Sequence, residues 1–526
     1  MIKQKGIGSF CITGLAGIAC FTGMSYANET VILDETLLVT GGSINGSLIP
    51  FLETPQTEHC DQEEMINITD PALQAAEAFE CGDELFGFEF NALDGGGAHV
   101  GDGQRYTRVP RADKAGPGEW LNHIPARATG PNSESCGHCH IEPATGAGFS
   151  ALNAVRDPMR EGQVGQFINR NTPHLMGSGA IQLVAESMTQ RMEKRVGDGQ
   201  IKACNANEAV TVELDVFGTD FGTVDVECDG SLNTTNLEGL DDDLIVRAFG
   251  WKGRDLNIRQ FTRNASHNEI GMQAVELIGE GVDGDGDGVA NELSVGDISA
   301  MTIYVAGQVR PTTKLELDFY GLMGLLEEDP LTSSEIEQIE EGQIAFREIG
   351  CNSCHDRQKR TSETVFTEPS QTADFRDAVF PAGQDPVAMG VTPEQPLSFD
   401  LTRDVPDNVF DVKGREVRLG NFQTDDRDRM IVNLFSDLKR HDMGPELAES
   451  VDEVGTGSST WITSRLWGVG STAPYLHDGR ASTLTEAILF HGGEGADSRE
   501  RFLQAETSDQ ESLIAFLNNL VLIREE

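Results

Sequence analysis

Basic side chains are scarce in this sequence of 526 residues: 39 Lys and Arg stand against 86 Asp and Glu, for a net charge of −47. A surface that acidic repels a phosphate backbone and an anionic lipid face, which excludes nucleic acid as a partner. It suits a basic redox partner or saline surroundings, and solubility alone would account for it as well. Aromatic residues are few, at 6%. Beyond residue 27 no apolar stretch is long enough to span a bilayer, so the mature chain is expected to have no membrane span. With 38% hydrophobic residues, 58 Gly and 20 Pro, the composition is still that of a loop-rich globular chain, long enough for about three or four domain-sized units.

The first 27 residues, MIKQKGIGSFCITGLAGIACFTGMSYA, place Lys3 and Lys5 before an apolar run and end on Ser25-Tyr26-Ala27, a small-x-small cleavage pattern. They predict a signal peptide over 1–27 that is removed on export, and hence a periplasmic protein. Cys20 after Leu15 to Ala19 faintly resembles a lipoprotein site, but Gly17 stands where such sites have a bulky aliphatic. Cleavage leaves eight cysteines: Cys60, Cys81, Cys136, Cys139, Cys204, Cys228, Cys351 and Cys354.

Four of the eight fall into two identical patterns. Cys136-Gly137-His138-Cys139-His140 and Cys351-Asn352-Ser353-Cys354-His355 are both C-x-x-C-H, the spacing that attaches a c-type haem. Two thiols add across the two vinyl groups of one haem, and the adjacent His is delivered beneath the iron as proximal ligand. With so few Cys and His, chance gives on the order of a few thousandths of one such motif. A redox C-x-x-C pair or half a zinc site would have no use for the following His twice over. Two covalently bound haem c groups are therefore expected, held by Cys136, Cys139, Cys351 and Cys354, with His140 and His355 on iron. For the other four cysteines sequence proximity favours Cys60 with Cys81 and Cys204 with Cys228, one of three connectivities.

The motifs lie 215 residues apart, which implies two haem domains rather than a tandem wire. The expected fold is mainly α, two cytochrome c-type haem domains with long loop insertions and little β: 28–330 for the first haem and 331–526 for the second. Thr332-x-x-Glu335 and Ser334-x-x-Glu337 are overlapping capping boxes before an amphipathic helix that ends at Cys351. Ser508-x-x-Glu511 caps another helix with Leu513, Phe516, Leu517 and Leu520 on one face, and the two should cross beside the second haem. Residues 70–80 carry Ala and Leu at helical spacing, 205–235 reads as a short strand pair, and 356–420, rich in Pro, Asp and Thr, reads mostly as loop. Between the motifs, Asp283, Asp285, Asp287, Gly288 and Asn291 match positions of a calcium loop, with Ser294 where the bidentate Glu belongs, so the last ligand would come from Glu292, Asp297 or elsewhere. An acidic surface turn is the alternative.

A family resemblance rests on several blocks. APYLHDGRASTLTEAILFHGG, 473–493, resembles the equivalent segment of bacterial di-haem cytochrome c peroxidases. GPNSESCGHCH at the first motif, FGWKGR at 249–254, DGDGVANELSVGD at 285–297 and RHDMGPELA at 440–448 are similar to blocks of their relatives, the di-haem oxidoreductases sometimes called thiol oxidoreductases. The resemblance runs from about residue 70 to the end.

It implies that the C-terminal haem is a six-coordinate electron-transfer site. Where those peroxidases have a distal Met this sequence has His491, and an iron between His355 and His491 would have a lower potential than a His/Met iron. It also implies that peroxide reacts at the N-terminal haem beside a distal glutamate, here Glu269 as acid/base. Trp251 matches the tryptophan between the haems, and Gln260, or by register Phe261, matches a pocket glutamine. His174, Met176, His267 and Met272 are further candidates for a sixth ligand of that haem. His441 and His477 would shape the second pocket by hydrogen bonds, and Arg480 would pair with a propionate.

The combined expectation is a periplasmic di-haem oxidoreductase of peroxidase type. An electron-donor protein such as a small cytochrome or cupredoxin feeds the second haem, and hydrogen peroxide or another small oxidant is consumed at the first. The alternatives are a di-haem oxygenase acting on an organic or protein substrate, and a non-catalytic electron carrier with both irons six-coordinate, which would have no need of Glu269 or Trp251.

Overall fold

A computed structural model describes residues 41–44, 47–50, 55–91, 93–96, 133–140, 152–156, 167–284, 288–324, 330–376, 385–403, 409–412, 415–418 and 420–522. The expected signal peptide, and Asp285 and Asp287 of the acidic loop, lie outside these residues.

Eleven α-helices dominate the described residues: α1 Gln62–Asn67, α2 Pro71–Gly87, α3 Ser178–Ala206, α4 Ile258–Ala265, α5 Val275–Ile278, α6 Val295–Ala306, α7 Lys314–Leu322, α8 Ser333–Glu348, α9 Leu484–Leu489, α10 Ala496–Gln504 and α11 Thr507–Asn519. Local chemistry accounts for several starts. Asp70 accepts from the N–H groups of Ala72 and Leu73, with Pro71 at the first helical position of α2. Thr332 and Glu335 form the capping box of α8, which leaves Ser334 inside the helix and its overlapping box unused. α11 begins after Glu506, ahead of the expected Ser508 cap.

Two helix pairs organise the molecule. α2 packs on α6, and α8 packs on α11 as the amphipathic patterns predict. Each pair crosses at a glycine. A Cβ on Gly82 would overlap the carbonyl of Ala300, and one on Gly342 would overlap the carbonyl of Ser512. Hydrogen at these positions lets the backbones approach closely.

The strands are short and antiparallel. β1 Gly41–Ile44 pairs with β2 Ser47–Pro50, and β3 Leu152–Arg156 with β4 Phe167–Asn171. Where a strand pair was expected over 205–235, three strands form a meander: β5 Val210–Val216, β6 Thr219–Val226 and β7 Leu232–Leu237. Leu214, Val216, Phe221, Val224 and Val226 bury one face of it, while β7 is polar and joins as an edge. The Cys204–Cys228 disulfide ties this sheet to the end of α3, and Cys60–Cys81 ties the approach to α1 onto α2.

The segment 356–420 also departs from a plain loop. Lys359–Thr361 pairs with Met430–Val432, Val365–Glu368 with Leu397–Asp400, and Val409–Val412 with Arg415–Arg418. Phe366, Phe375 and Phe399 from it are buried in the larger of two main cores, which runs from Cys60 to Leu522. Each such ring stabilises the fold by about 1.5–3 kcal/mol, which outweighs the loop-forming composition. The smaller core gathers Ile339, Phe346, Phe435, Leu513, Phe516 and Leu517 beside the second motif.

Candidate functional site

The second C-x-x-C-H leaves α8 through Gly350, whose φ of 92° turns the chain into the single turn Cys351–Ser353. The N–H of His355 donates to the carbonyl of Cys351 at 3.0 Å, and its Nδ1 donates to the carbonyl of Phe435 at 3.1 Å. Opposite it, just past α9, His491 donates from Nδ1 to the carbonyl of Ala487 at 2.9 Å. Backbone acceptors thus fix both tautomers with a lone pair on Nε2. The ring centroids are 6.4 Å apart. Two imidazole nitrogens on one metal, at about 2 Å each, set ring centroids about 6 Å apart, so the pair fits one iron between them. Burial, and then the proximity of His491, push His355 down to about 4, and burial lowers His491 as well. Neutral rings are the form that ligates. They face a cavity of about 270 Å³ whose wall includes Cys351, Cys354, Trp251 and Trp461.

The first motif repeats the turn. Ser135 accepts from the N–H of Gly137 and donates to the carbonyl of Phe86 at 3.1 Å, at the end of α2, and the N–H of His140 donates to the Cys136 carbonyl at 3.1 Å. Burial lowers His140 to about 4, opposed by the Pro173 carbonyl against its ring. Burial also pushes the Cys136 thiol up to about 12, helped by Cys139 and by the Glu269 carboxylate.

Glu269 therefore lies beside the first motif. It sits on a π-helical turn, Ser266–Ile270, that continues α4, and its carbonyl accepts from the N–H of Ser133 at 3.0 Å. Gln260, on α4, uses its Oε1 to accept from the N–H of Leu256 at 3.1 Å, which is a local tie at the start of the helix. Trp251 donates from Nε1 to the carbonyl of Asn171 at 2.8 Å and lines the cavity of the second motif. Met176, His267 and Met272 are buried. His174 gives its Nε2 to the carbonyl of Trp467 at 3.0 Å, and burial, with Arg465 nearby, lowers it to about 3.

One stretch of backbone separates the two motifs. Pro173 lies against His140 and also lines the cavity around His355. The residue that fixes this stretch is Asn171: its N–H donates to the carbonyl of His477 at 2.7 Å, its Nδ2 to that of Pro474 at 2.6 Å, and its own carbonyl takes the Trp251 bond.

Other residues fall into place around the second motif. His441 is held between Asp437 at 2.9 Å and Glu494 at 2.7 Å. Burial opposes its charge, but Asp437 and Cys354 outweigh burial and raise it to about 11. Arg480 is bound to Asp478 at 2.6 Å and to the Glu446 carbonyl at 2.7 Å, so its guanidinium is already partnered. The sandwich of Trp461 between the His477 ring at 3.8 Å and the Lys252 ammonium at 3.9 Å had no local signal in the sequence, because its members are far apart along the chain.

In the acidic loop, Gly288 (φ 95°) donates to Asp283 Oδ2 at 3.0 Å, and Asn291 Oδ1 accepts from the N–H of Gly281 at 2.6 Å. Ser294 is the N-cap of α6 and Asp297 completes its capping box. Asp297 also accepts from the Cys60 N–H and pairs with His59, both at 2.7 Å, while Glu292 accepts from the N–H of Gln273 at 2.7 Å. Both acids that could complete a calcium shell are thus tied to the protein. No helix among the described residues is long and apolar enough to cross a membrane.

Residues 420–520 match the family model described as "Di-haem oxidoreductase, putative peroxidase". Over that segment the chain resembles the di-haem oxidoreductases. The segment contains His441, Trp461, His477 and His491, the wall and the second imidazole of the cavity. A di-haem oxidoreductase has two haems as cofactors, and this chain has two C-x-x-C-H motifs. Among solved structures, hydrazine synthase of Kuenenia stuttgartiensis pressurised with xenon is 13% identical, covering 90% of this chain and 99% of that one, with a TM-score of 0.34. A MauG-like protein associated with microbial copper homeostasis is 15% identical, covering 57% of this chain and 78% of that one, with a TM-score of 0.26. No curated protein matches the chain.

Proposed function

We propose that this chain is an exported, periplasmic di-haem c-type oxidoreductase of peroxidase type, with two haem-bearing halves, 28–330 and 331–526. In this reading Cys136 and Cys139 would attach one haem with His140 as a ligand, and Cys351 and Cys354 would attach the other with His355 and His491 as ligands. The observation that carries the reading is the asymmetry in what surrounds the two motifs. The second has two neutral imidazoles at iron-spanning separation, each locked through Nδ1. The first has a carboxylate, Glu269, near its thioether-forming cysteine.

A bound haem iron supplies electron transfer and, where a coordination position is open or displaceable, a place for peroxide to bind. The residues supply the rest. Glu269 accepts a proton from the near peroxide oxygen and returns it to the far one, the role a positioned carboxylate can fill at a developing charge. His355 and His491 would both ligate the second haem, which would leave it to exchange electrons rather than bind substrate. Trp251, tied to Asn171, lies along the wall between the motifs. The external partner is an electron-donor protein such as a small cytochrome or cupredoxin with a basic face, and the oxidant is hydrogen peroxide. The Asp283–Asn291 loop is the place for a calcium ion in this reading, held by Asp283, Asp285, Asp287 and Asn291.

The test is an optical and EPR titration of the purified holoprotein with hydrogen peroxide, in fully oxidised and half-reduced forms. One high-spin haem that responds to peroxide and one low-spin haem are expected. Glu269→Gln should lower peroxide turnover by about 10²–10⁴-fold with both haems still attached. Two low-spin haems inert to peroxide in both forms would make the chain an electron carrier instead.

A further inference from the structure

Arg465 is one of two arginines on the wall of the cavity around His355. It follows the strand Thr460–Ile462 and lines the cavity between His355 and His491. Among the described residues its one side-chain hydrogen bond runs from Nη1 to the carbonyl of Ala248 at 3.0 Å. Among the described residues it has no ion-pair partner, in a chain where 86 acidic side chains stand against 39 basic ones. Arg170 pairs with Glu449 and Glu453, Arg310 with Glu316, and Arg480 with Asp478. The other arginine on the cavity wall, Arg499, has Glu446 at 3.6 Å and Glu500 at 3.4 Å. The one acidic residue of that wall, Glu494, is bonded to His441 and to the N–H of Asp442.

A guanidinium presents five N–H donors in a planar fork that matches a carboxylate. Set on the cavity wall with only a carbonyl for partner, its fork has donors left for an anion that enters the cavity. Burial lowers Arg465 to about 10 with no carboxylate to offset it. We propose that Arg465 receives a propionate carboxylate of the haem bound between His355 and His491. This rests on the reading of that cavity as a haem site. It replaces Arg480, which the resemblance had offered for the same role and whose guanidinium is occupied.

A fixed positive charge near the haem favours the reduced form and keeps the propionate ionised. Spectroelectrochemical titration of the low-spin haem, at several pH values, reads both effects. In Arg465→Gln the reduced-to-oxidised ratio at a fixed applied potential should fall roughly tenfold. The potential should also acquire a pH dependence between about pH 5 and 8, as the propionate, no longer held ionised, begins to titrate. Arg465→Lys should retain most of the wild-type potential, and Arg480→Gln should leave it unchanged. If Arg465→Gln does not accumulate, the propionate bending bands in the resonance Raman spectrum of Arg465→Lys are expected to shift; unshifted bands would overturn the proposal. An Arg465→Gln protein with both haems and a wild-type potential and pH profile would overturn it too. A wild-type potential that moved with added acetate would assign Arg465 to a free anion rather than to a propionate. A wild-type chain that carries one haem, at 136–140 alone, would overturn the reading of the cavity and this assignment with it.

Discussion

At the scale of single residues, His491 carries the most exposed commitment. Its Nδ1 is spent on the Ala487 carbonyl and its ring faces His355 at 6.4 Å. His491→Ala should convert the second haem from low to high spin and raise its potential less than a Met substitution would, because thioether ligation raises potential. An unchanged low-spin EPR signal in the Ala variant would mean that another side chain is the ligand. The C-x-x-C-H motifs were legible because their chemistry is contained in five consecutive residues. The ligand role expected of His491 came only through a resemblance, since nothing local separates it from a surface His. The side chains whose roles depend on distant partners were not legible at all. Nothing in the sequence announced that Gln260 Oε1 takes the N–H of Leu256, or that Asp478 and the Glu446 carbonyl hold the guanidinium of Arg480.

Among elements, the α8–α11 packing was readable from the Thr332–Glu335 capping box and the apolar faces, although α11 starts without the expected Ser508 cap. The α2–α6 crossing was half readable: α2 has its Asp70 cap and Ala spacing, but α6 is apolar nearly all round, so no face announced its partner. Strands in 356–420 were hidden by composition, because Pro, Asp and Thr mask the alternating Phe366, Leu397 and Phe399. The glycine at each crossing makes a sharp test. Ala in place of Gly gains about 1 kcal/mol of helix propensity, and Gly197, with open space at its Cβ position in α3, should show that gain. At Gly342 the same change drives a methyl into the Ser512 carbonyl, backbone that cannot rotate away. Overpacking of this kind costs about 1–3 kcal/mol, so the net effect reverses sign. Thermal denaturation should therefore place Gly197→Ala at or above the wild-type Tm and Gly342→Ala below it. Equal shifts in both would mean that the close approach of α8 and α11 is not what Gly342 provides.

For the molecule as a whole, charge is the property most legible from sequence and least visible in any one contact. A net charge of −47 attracts a basic donor protein and repels an acidic one over a distance set by salt. The second-order rate of reduction by a basic small cytochrome should fall steeply as ionic strength rises from about 0.01 to 0.15 M, over which the screening length shrinks from about 30 to about 8 Å. A salt-independent rate would place the docking patch away from the general acidity.

Asn171 has a consequence for how such a chain comes into being. Its side chain reaches the carbonyls of Pro474 and Leu476, partners 303 and 305 positions downstream. Contacts so far apart in sequence wait on closure of a very long loop, and they are among the slowest to form. During vectorial synthesis or export, the Asn171–Pro173 stretch that lies against His140 is made long before residues 474–477 arrive to bond it.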